Sequence, residues 1–326
     1  MFRRLLNYIV VIATLSVALS AFAAQQFGYF APNETRPREA LSIVAGAISG
    51  AYIGVGSERC FMMAALLPQL TDLYCVDIDP EIVQFNKINN LLLKIARNRV
   101  DYVELRLQAP LSQWLKAVHD AVALSAEERT LFTEETFDFW RLNARESHRF
   151  AFFNNARAEE YYNDPAVEYS GVHYLYIEEA YARVARLAKL GRIHNLSIDI
   201  GDYSAIKGLL KSIKKSGLNI SVVDLSNSWW SQYAGPESLI QISELLLKFD
   251  FNQSRLLYTF WNSRQTQKRV WIYGGLEVQK LQSRENAQLF RQYISLLEFK
   301  TRVGTTSYDK VLNGFLASKC QNNLRP

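Results

Sequence analysis

Cysteine is scarce in this chain: Cys60, Cys75 and Cys320 are its only three among 326 residues. An odd number gives no complete disulfide framework, and the spacings contain no paired metal ligands. The pattern places Cys60 on a helix and Cys75 inside a strand, where buried free thiols are common. We therefore interpret the cysteines as packing residues rather than as redox or metal-binding groups.

Several signatures of catalysis are also missing. The four histidines, at positions 119, 148, 173 and 194, show neither the spacing of metal ligands nor pairing on one helix face. The chain has no nucleophile elbow, no Walker-type phosphate loop and no zinc motif. The sequence thus predicts no metal site.

Strong charge of one sign is absent as well. The net charge is +5, and Arg3 and Arg4 supply two of those positive charges, so the rest of the chain is only mildly basic. We therefore expect no nucleic-acid partner. Aromatic residues, in contrast, make up 13% of the chain, a content that suits a binding cleft, an interface or a large core.

The first 23 residues have the three zones of an export signal. A basic start is followed by an apolar run from Ile9 to Leu19 and by a small-x-small sequence ending at Ala23. The apolar run is shorter than the roughly 20 residues that span a bilayer. We predict a signal peptide over residues 1–23, a mature chain from about Ala24, and a periplasmic or secreted protein. The alternative is an uncleaved segment that anchors the protein in the membrane.

A glycine turn is the most informative motif. Gly50–Ser57 predicts a strand and a turn, an apolar helix follows, and Leu73–Asp77 predicts a second strand that ends in an acid. This order is typical of the nucleotide-binding half of a doubly wound sheet. Gly54 and Gly56 permit a tight turn and close approach of a ligand, and Asp77 can accept hydrogen bonds from ribose hydroxyls. A tight strand–helix turn without a ligand is the alternative.

Strands and helices alternate through most of the chain, which predicts an α/β fold with a mostly parallel, doubly wound sheet. Ligands of such sheets bind at the carboxyl ends of the strands. The predicted strands are 51–55, 72–77, 194–200, 218–225, 255–261 and 270–273. The predicted helices are 58–67, 80–97, 178–190, 205–215 and 237–249.

Residues 101–176 interrupt this alternation with aromatic side chains among Arg, Glu and Asn. We predict a largely helical, aromatic-rich insertion between strands 2 and 3, within a single domain over residues 24–326. An insertion at this point overhangs the carboxyl edge of the sheet. It is therefore either a cap over the substrate or additional core.

Four further polar residues lie at predicted element ends, and each has two interpretations. Glu58 faces the pocket or complements the positive end of its helix. Asp202 contacts a ligand or is the N-cap of the next helix, and the two roles can coexist. Asp224 and Asn227, beside Trp229, form a catalytic pair in which Asp224 accepts a proton from, or orients, an amine or hydroxyl. The alternative is a loop-capping cluster.

With these residues the chain resembles the class I S-adenosylmethionine-dependent methyltransferases. Gly54-Val55-Gly56 is similar to the short form of their glycine motif, and Asp77 falls where their ribose-binding acid lies. Gly201-Asp202 falls where a third-strand acid often contacts the adenine, and Asp224–Asn227 falls at the strand end that faces the substrate. The resemblance implies a Rossmann-like methyltransferase sheet with S-adenosylmethionine as cofactor.

The chain is also similar to a bacterial family of methyltransferase-like proteins without an established substrate. The resemblance covers most of the mature chain to about residue 260 and implies the fold and an adenosyl-ligand pocket. It rests on Asn33-Glu34-Thr35, Gly50–Gly56, Val76-Asp77-Ile78, Tyr174-Leu175, Glu178–Tyr181, Gly191-Arg192-Ile193, Gly201-Asp202 and Leu225-Ser226-Asn227.

These observations predict an S-adenosylmethionine-dependent methyltransferase-like protein with an unknown small-molecule or protein acceptor. Export conflicts with this function, because adenosyl cofactors are made inside cells. Two alternatives resolve the conflict: an exported, non-catalytic binding protein on a degenerate methyltransferase fold, or a secreted effector that uses host cofactor. We expect membrane contact only through an uncleaved signal segment.

Overall fold

A computed structural model describes residues 39–152, 173–263 and 269–303. The predicted signal peptide over residues 1–23, part of the predicted insertion and Cys320 lie outside these ranges, so those predictions stay predictions. Within the ranges the chain forms a six-stranded sheet with helices on both faces.

The sheet has the strand order β3-β2-β1-β4-β5-β6. The first five strands in this order pair in parallel, and β6 pairs with β5 in the antiparallel direction. The predicted mostly parallel α/β sheet is therefore confirmed, and its order is compatible with a Rossmann-like, doubly wound fold. The strands are β1 Gly50–Val55, β2 Leu70–Asp77, β3 Ile193–Ser197, β4 Ile220–Asp224, β5 Arg255–Ser263 and β6 Arg269–Glu277.

Helices connect the parallel strands. Their bounds are α1 Glu39–Val44, α2 Glu58–Leu66, α3 Pro80–Ile95, α4 Arg99–Leu107, α5 Leu111–Asp120, α6 Ala126–Arg129, α7 Glu134–Phe152, α8 Glu178–Lys189, α9 Tyr203–Lys215, α10 Pro236–Lys248 and α11 Arg284–Val303. A 3₁₀ helix covers Val278–Gln282. None of the helices in the described ranges is long and apolar enough to cross a membrane.

Local sequence explains where two of these helices begin. The carboxylate of Asp79 accepts a hydrogen bond from the backbone N–H of Glu81, and Pro80 occupies the first helical position of α3. Proline is favourable there because that N–H has no partner within the helix. Asp202 is likewise the N-cap of α9, where its carboxylate accepts hydrogen bonds from backbone N–H groups of the first turn. Each cap lies between a parallel strand and the helix that follows it, two residues after β2 in the case of Asp79 and five residues after β3 in the case of Asp202.

Two apolar cores lie on opposite faces of the sheet. In β1, Tyr52 faces the core formed with α2, α3 and α8, whereas Ile53 faces the core formed with α9, α10 and α11. Successive side chains of a strand point to opposite faces, so a strand that is covered on both faces is apolar throughout. This explains why the strands read as continuous apolar runs.

The chain between β2 and β3 contains α3 to α8, and its described aromatic residues belong to the core. Trp114 and Trp140 are fully buried. Trp140 stacks on Phe85 of α3, with ring centroids 4.6 Å apart, and Trp114 packs against Phe137. These aromatic residues therefore join the segment to the main core, as one of the two interpretations predicts. The cap role and the limits 101–176 of the insertion stay predictions.

The structure differs from the predicted elements most at two places, although strands such as β6, predicted over 270–273, also have other bounds. The third strand ends at Ser197 rather than at 200, because the Asp199 carboxylate accepts a hydrogen bond from Gly201 N–H and turns the chain. Ile200 lies in the loop after the strand but is buried. The apolar run in the sequence therefore extends beyond the end of the strand. Helix α11 was not predicted, although its Phe290 and Ile294 complete the second core.

Candidate functional site

The carboxyl ends of β2, β1 and β4 meet at one edge of the sheet. In the register of the sheet, Gly54 of β1 lies between Cys75 of β2 and Asp224 of β4. Strands β2 and β3 follow β1 on one side and β4 follows it on the other, so the strand order reverses here. In doubly wound sheets the crevice at such a reversal is where ligands bind.

Gly56 has the geometry of a ligand-binding turn. Its φ is +91°, a conformation that side chains disfavour, and an added Cβ would have no heavy atom of residues 39–152, 173–263 or 269–303 within 4 Å. The space above this glycine is therefore open. The turn itself is held in place, because Gly56 N–H donates to Val76 C=O at 3.2 Å and Asn86 Nδ2 donates to Gly56 C=O at 2.9 Å.

Gly54 is required for a different reason. It lies inside β1, where an added Cβ would be 2.5 Å from Cε1 of Tyr52 and 2.9 Å from Sγ of Cys60. No side chain larger than hydrogen fits against that buried ring and thiol. At Gly54 the backbone is therefore in close contact with core side chains behind the turn. A ligand could come close to the backbone at Gly56 instead.

Asp77 ends β2 beside this turn. Its Oδ1 accepts a hydrogen bond from Asp79 N–H at 2.9 Å. Burial raises the pKa of the Asp77 carboxyl to about 6 and the charge of Asp79 adds to the rise, although the backbone amides of Asp79, Ile78 and Gly56 oppose it. No basic side chain in the described ranges pairs with Asp77, so its carboxylate can accept hydrogen bonds from a ligand.

Glu58 is buried at the start of α2, directly after the turn. Its carboxylate pairs with Arg106 of α4 and accepts a hydrogen bond from the Tyr174 hydroxyl, and Nε2 of His173 lies 3.8 Å away. Although burial by itself would raise the pKa of Glu58, the charges of Arg106 and His173 hold it below its usual value. The structure places Glu58 in a buried polar cluster; a contact with a ligand stays a prediction.

Asp202 is exposed and is the N-cap of α9. Its Oδ1 accepts hydrogen bonds from the backbone N–H groups of Ser204 at 2.8 Å and Ala205 at 3.2 Å. One of the two interpretations of this residue, the helix cap, is therefore observed. A contact with the adenine stays a prediction.

Asp224 is almost fully buried at the end of β4. Its carboxylate forms a two-point ion pair with Arg59 of α2, Nε–Oδ2 2.9 Å and Nη2–Oδ1 3.0 Å. The Tyr52 hydroxyl donates to Oδ2 at 2.5 Å and Ser226 N–H donates to Oδ1 at 2.9 Å. Burial and the nearby Asp224 charge raise the pKa of Tyr52, so this hydroxyl stays a donor. Both oxygens are thus engaged in the core.

Asn227 lies on the loop after β4, at the same edge as Gly56 and Asp77. It is half-buried, and its Oδ1 accepts a hydrogen bond from Ser226 Oγ at 3.3 Å. The neighbouring Trp229 is a core residue whose Nε1 donates to Thr259 C=O at 2.9 Å. The predicted pair is thus split: Asp224 points into the core, whereas Asn227 lies nearer the surface.

Two residues that hold the turn were not predicted, namely Arg59 and Asn86. Arg59 follows Glu58 directly, and its partner Asp224 is distant in the sequence. Asn86 interrupts the apolar face of α3 at a buried position. A buried side-chain amide usually has hydrogen-bond partners. A polar residue on the apolar face of α3 was therefore the sequence signal that could have indicated a structural contact of Asn86.

The chain is thus an α/β protein with a Rossmann-like, mostly parallel sheet and a glycine turn at its central edge. A family model described as "Domain of unknown function (DUF7790)" matches residues 29–292, and the chain belongs to that family. No curated protein matches the sequence.

Proposed function

We propose that the chain binds S-adenosylmethionine at the edge formed by Gly56 and Asp77, and that it is a methyltransferase-like protein with a small-molecule or protein acceptor. The observation that carries the proposal is the pairing of two features at one point. An open glycine peptide lies beside a carboxylate that has no basic partner among the described residues, at the point where the strand order reverses.

The residues present fit an adenosyl ligand. The Asp77 carboxylate offers oxygens to the two ribose hydroxyls, and the open side of Gly56 admits the ligand close to the backbone. Ile78, which follows Asp77, exposes 65% of its surface and offers an apolar contact for the adenine. Bound S-adenosylmethionine would supply the methyl group.

The acceptor would lie beyond the end of β4, beside Asn227. Methyl transfer depends mainly on alignment and on exclusion of water, and the Asn227 amide can orient an amine or hydroxyl. We assign Asp224 a positioning role, because its ion pair with Arg59 fastens the start of α2 to β4. That contact holds the glycine turn between the two strands.

Adenosyl binding without methyl transfer is the second candidate function. The engagement of Asp224 by Arg59 and Tyr52 favours it, because proton abstraction by this carboxylate would first have to break a buried ion pair. The predicted export also favours it. The third possibility, a secreted effector that uses host cofactor, keeps the same binding site.

Calorimetry with S-adenosylmethionine and S-adenosylhomocysteine tests binding. Gly56→Ala and Asp77→Asn should abolish it. Gly217→Ala is the matched control, because Gly217 also has a positive φ (+75°) with no atom near an added Cβ, but it precedes β4 at the opposite edge. Both glycine variants should lose about 1–2 kcal/mol of stability, whereas only Gly56→Ala should lose the ligand. Absence of heat at millimolar ligand would contradict the proposal.

A second experiment separates transfer from binding. The protein and S-adenosylmethionine with a labelled methyl group are incubated with extracts of the producing cells and of host cells. Label on an acceptor that disappears with Asp77→Asn supports a methyltransferase. Binding in calorimetry without transfer to either extract supports the binding protein.

A further inference from the structure

The two cysteines of the described ranges lie together directly behind the glycine turn. Cys75 of β2 is the register partner of Gly54 in β1, so both face the same side of the sheet. Sγ of Cys60 on α2 occupies the space that a Gly54 side chain would fill, because an added Cβ there would be 2.9 Å from it. Cys60 therefore packs over the strand pair that contains Cys75.

Both thiols are buried, with 0% and 1% exposure, and both belong to the same core. The Cys60 thiol is within hydrogen-bond distance of Val55 C=O at 3.4 Å and Gly56 C=O at 3.5 Å. Burial and the interaction with the Cys75 thiol raise the pKa of Cys60. In the folded protein the Cys60 thiol is thus protonated and both thiols are shielded from solvent, so neither is accessible to an oxidant.

We propose that Cys60 and Cys75 form an intramolecular disulfide when the chain folds in an oxidising environment, joining the start of α2 to β2. An odd number of cysteines does not by itself predict this pairing. The packing of α2 over the strand pair brings Cys60 and Cys75 together. The bond would fasten the glycine turn to the strand that carries Asp77.

The chemistry is thiol–disulfide exchange with a disulfide oxidant, such as oxidised glutathione. One cysteine thiolate attacks the oxidant and releases one of its halves as a thiol; the second cysteine then attacks the mixed disulfide and releases the other half. The two cysteines lose two electrons and two protons in total, and the oxidant is reduced to two thiols. Exchange must precede burial, since the folded thiols are shielded.

The test is refolding of the denatured, reduced full chain in buffer with oxidised and reduced glutathione, with a parallel sample in reductant alone. Trypsin leaves both cysteines in one peptide, residues 60–87, because no Lys or Arg lies between Arg59 and Lys87. After unfolding and alkylation, the oxidised sample should yield this peptide unalkylated and lighter by two hydrogen atoms. The reduced sample should yield it alkylated twice.

Variants assign the bond. Cys320→Ser should keep the disulfide, whereas Cys75→Ala should leave Cys60 open to alkylation. Double alkylation of residues 60–87 in the oxidised, folded wild-type chain would overturn the proposal, and so would a link from either cysteine to Cys320. The readout is a mass, so it does not depend on whether the chain binds an adenosyl ligand.

Discussion

Asp77 places a negative charge where the surroundings disfavour it. Its pKa is raised from 3.8 to about 6, so the folded chain binds this proton more tightly than the unfolded chain does. The stability that Asp77 contributes is therefore complete below about pH 4 and is lost as the pH rises through about 6. Such a cost is typical of a residue retained for function.

Asp77→Asn should therefore stabilise the protein at neutral pH while abolishing adenosyl binding. At about 1.4 kcal/mol per pKa unit, we expect the free energy of unfolding to rise by about 1–3 kcal/mol at pH 8 and to change little at pH 4. Urea unfolding at the two pH values measures this. Asp202→Asn is the control, because asparagine caps helices as well as aspartate does. Equal effects of Asp77→Asn at both pH values would contradict the account.

Asp224 differs from Asp77 in having a basic partner. Removal of one member of a buried ion pair leaves the other charge without compensation and costs about 3–5 kcal/mol. We expect Asp224→Asn to lose stability on this scale, because Arg59 would stay buried beside a neutral amide. Urea unfolding measures the loss.

Asp250 is an exposed aspartate that provides the control. Its φ is +59°, a conformation that asparagine also tolerates. Asp250→Asn should change the stability little. If Asp224→Asn were as mild as this control and removed only activity, Asp224 would be a catalytic base rather than a positioning residue.

At the scale of elements, a side-chain amide of α3 holds the glycine turn. Asn86 Nδ2 donates to Gly56 C=O and thereby fixes the orientation of that peptide. Asn86→Ala should weaken adenosyl binding by up to about tenfold, because the ligand would then have to order a turn that this hydrogen bond, worth about 1.4 kcal/mol at most, fixes in the free protein. Calorimetry measures the affinity.

Asn90, one turn further along α3, provides the matched control. Its side-chain oxygen has no hydrogen-bond partner among the residues that the structure describes. Asn90→Ala should leave the affinity unchanged. Equal affinity of Asn86→Ala and the wild type would show that the turn holds its shape without this contact.

The unit formed by β1, α2 and β2 could be predicted because its signals are local. Glycines, a proline stop and an acid at the strand end all lie within about 30 residues, as in a βαβ half. The orientations of Glu58 and Asp224 could not be predicted, because each pairs with an arginine that is distant from it in the sequence. Arg106 pairs with Glu58, and Arg59 pairs with Asp224. Only the packed fold brings such partners together.

The apolar pattern predicted which strands and helices exist better than it predicted the residues at which they end. It extended the third strand to Ile200, which is buried from a loop rather than from the strand. Apolar periodicity reports burial, and burial is not confined to regular elements. For the same reason the apolar pattern could not show whether the aromatic residues after β2 belong to the core or to a substrate cap. The described ones, such as Trp114 and Trp140, belong to the core.

At the scale of the whole molecule, the predicted export segment makes one direct prediction. Intact mass spectrometry of protein purified from its producing cells should give a chain that starts near Ala24, because a small-x-small site precedes that residue. Measurement under native conditions reports a retained adenosyl ligand in the same spectrum. A mass that includes Met1 would favour the anchored alternative.

The central claim is that an adenosyl ligand binds over Gly56 beside Asp77, and hydrogen–deuterium exchange tests it most directly. Exchange is measured on the full chain with and without millimolar S-adenosylhomocysteine. The account predicts slower exchange in the peptides that contain the turn at Gly56 and the strand end at Asp77–Asp79. Unchanged exchange in both peptides, or protection confined to other parts of the chain, would contradict it.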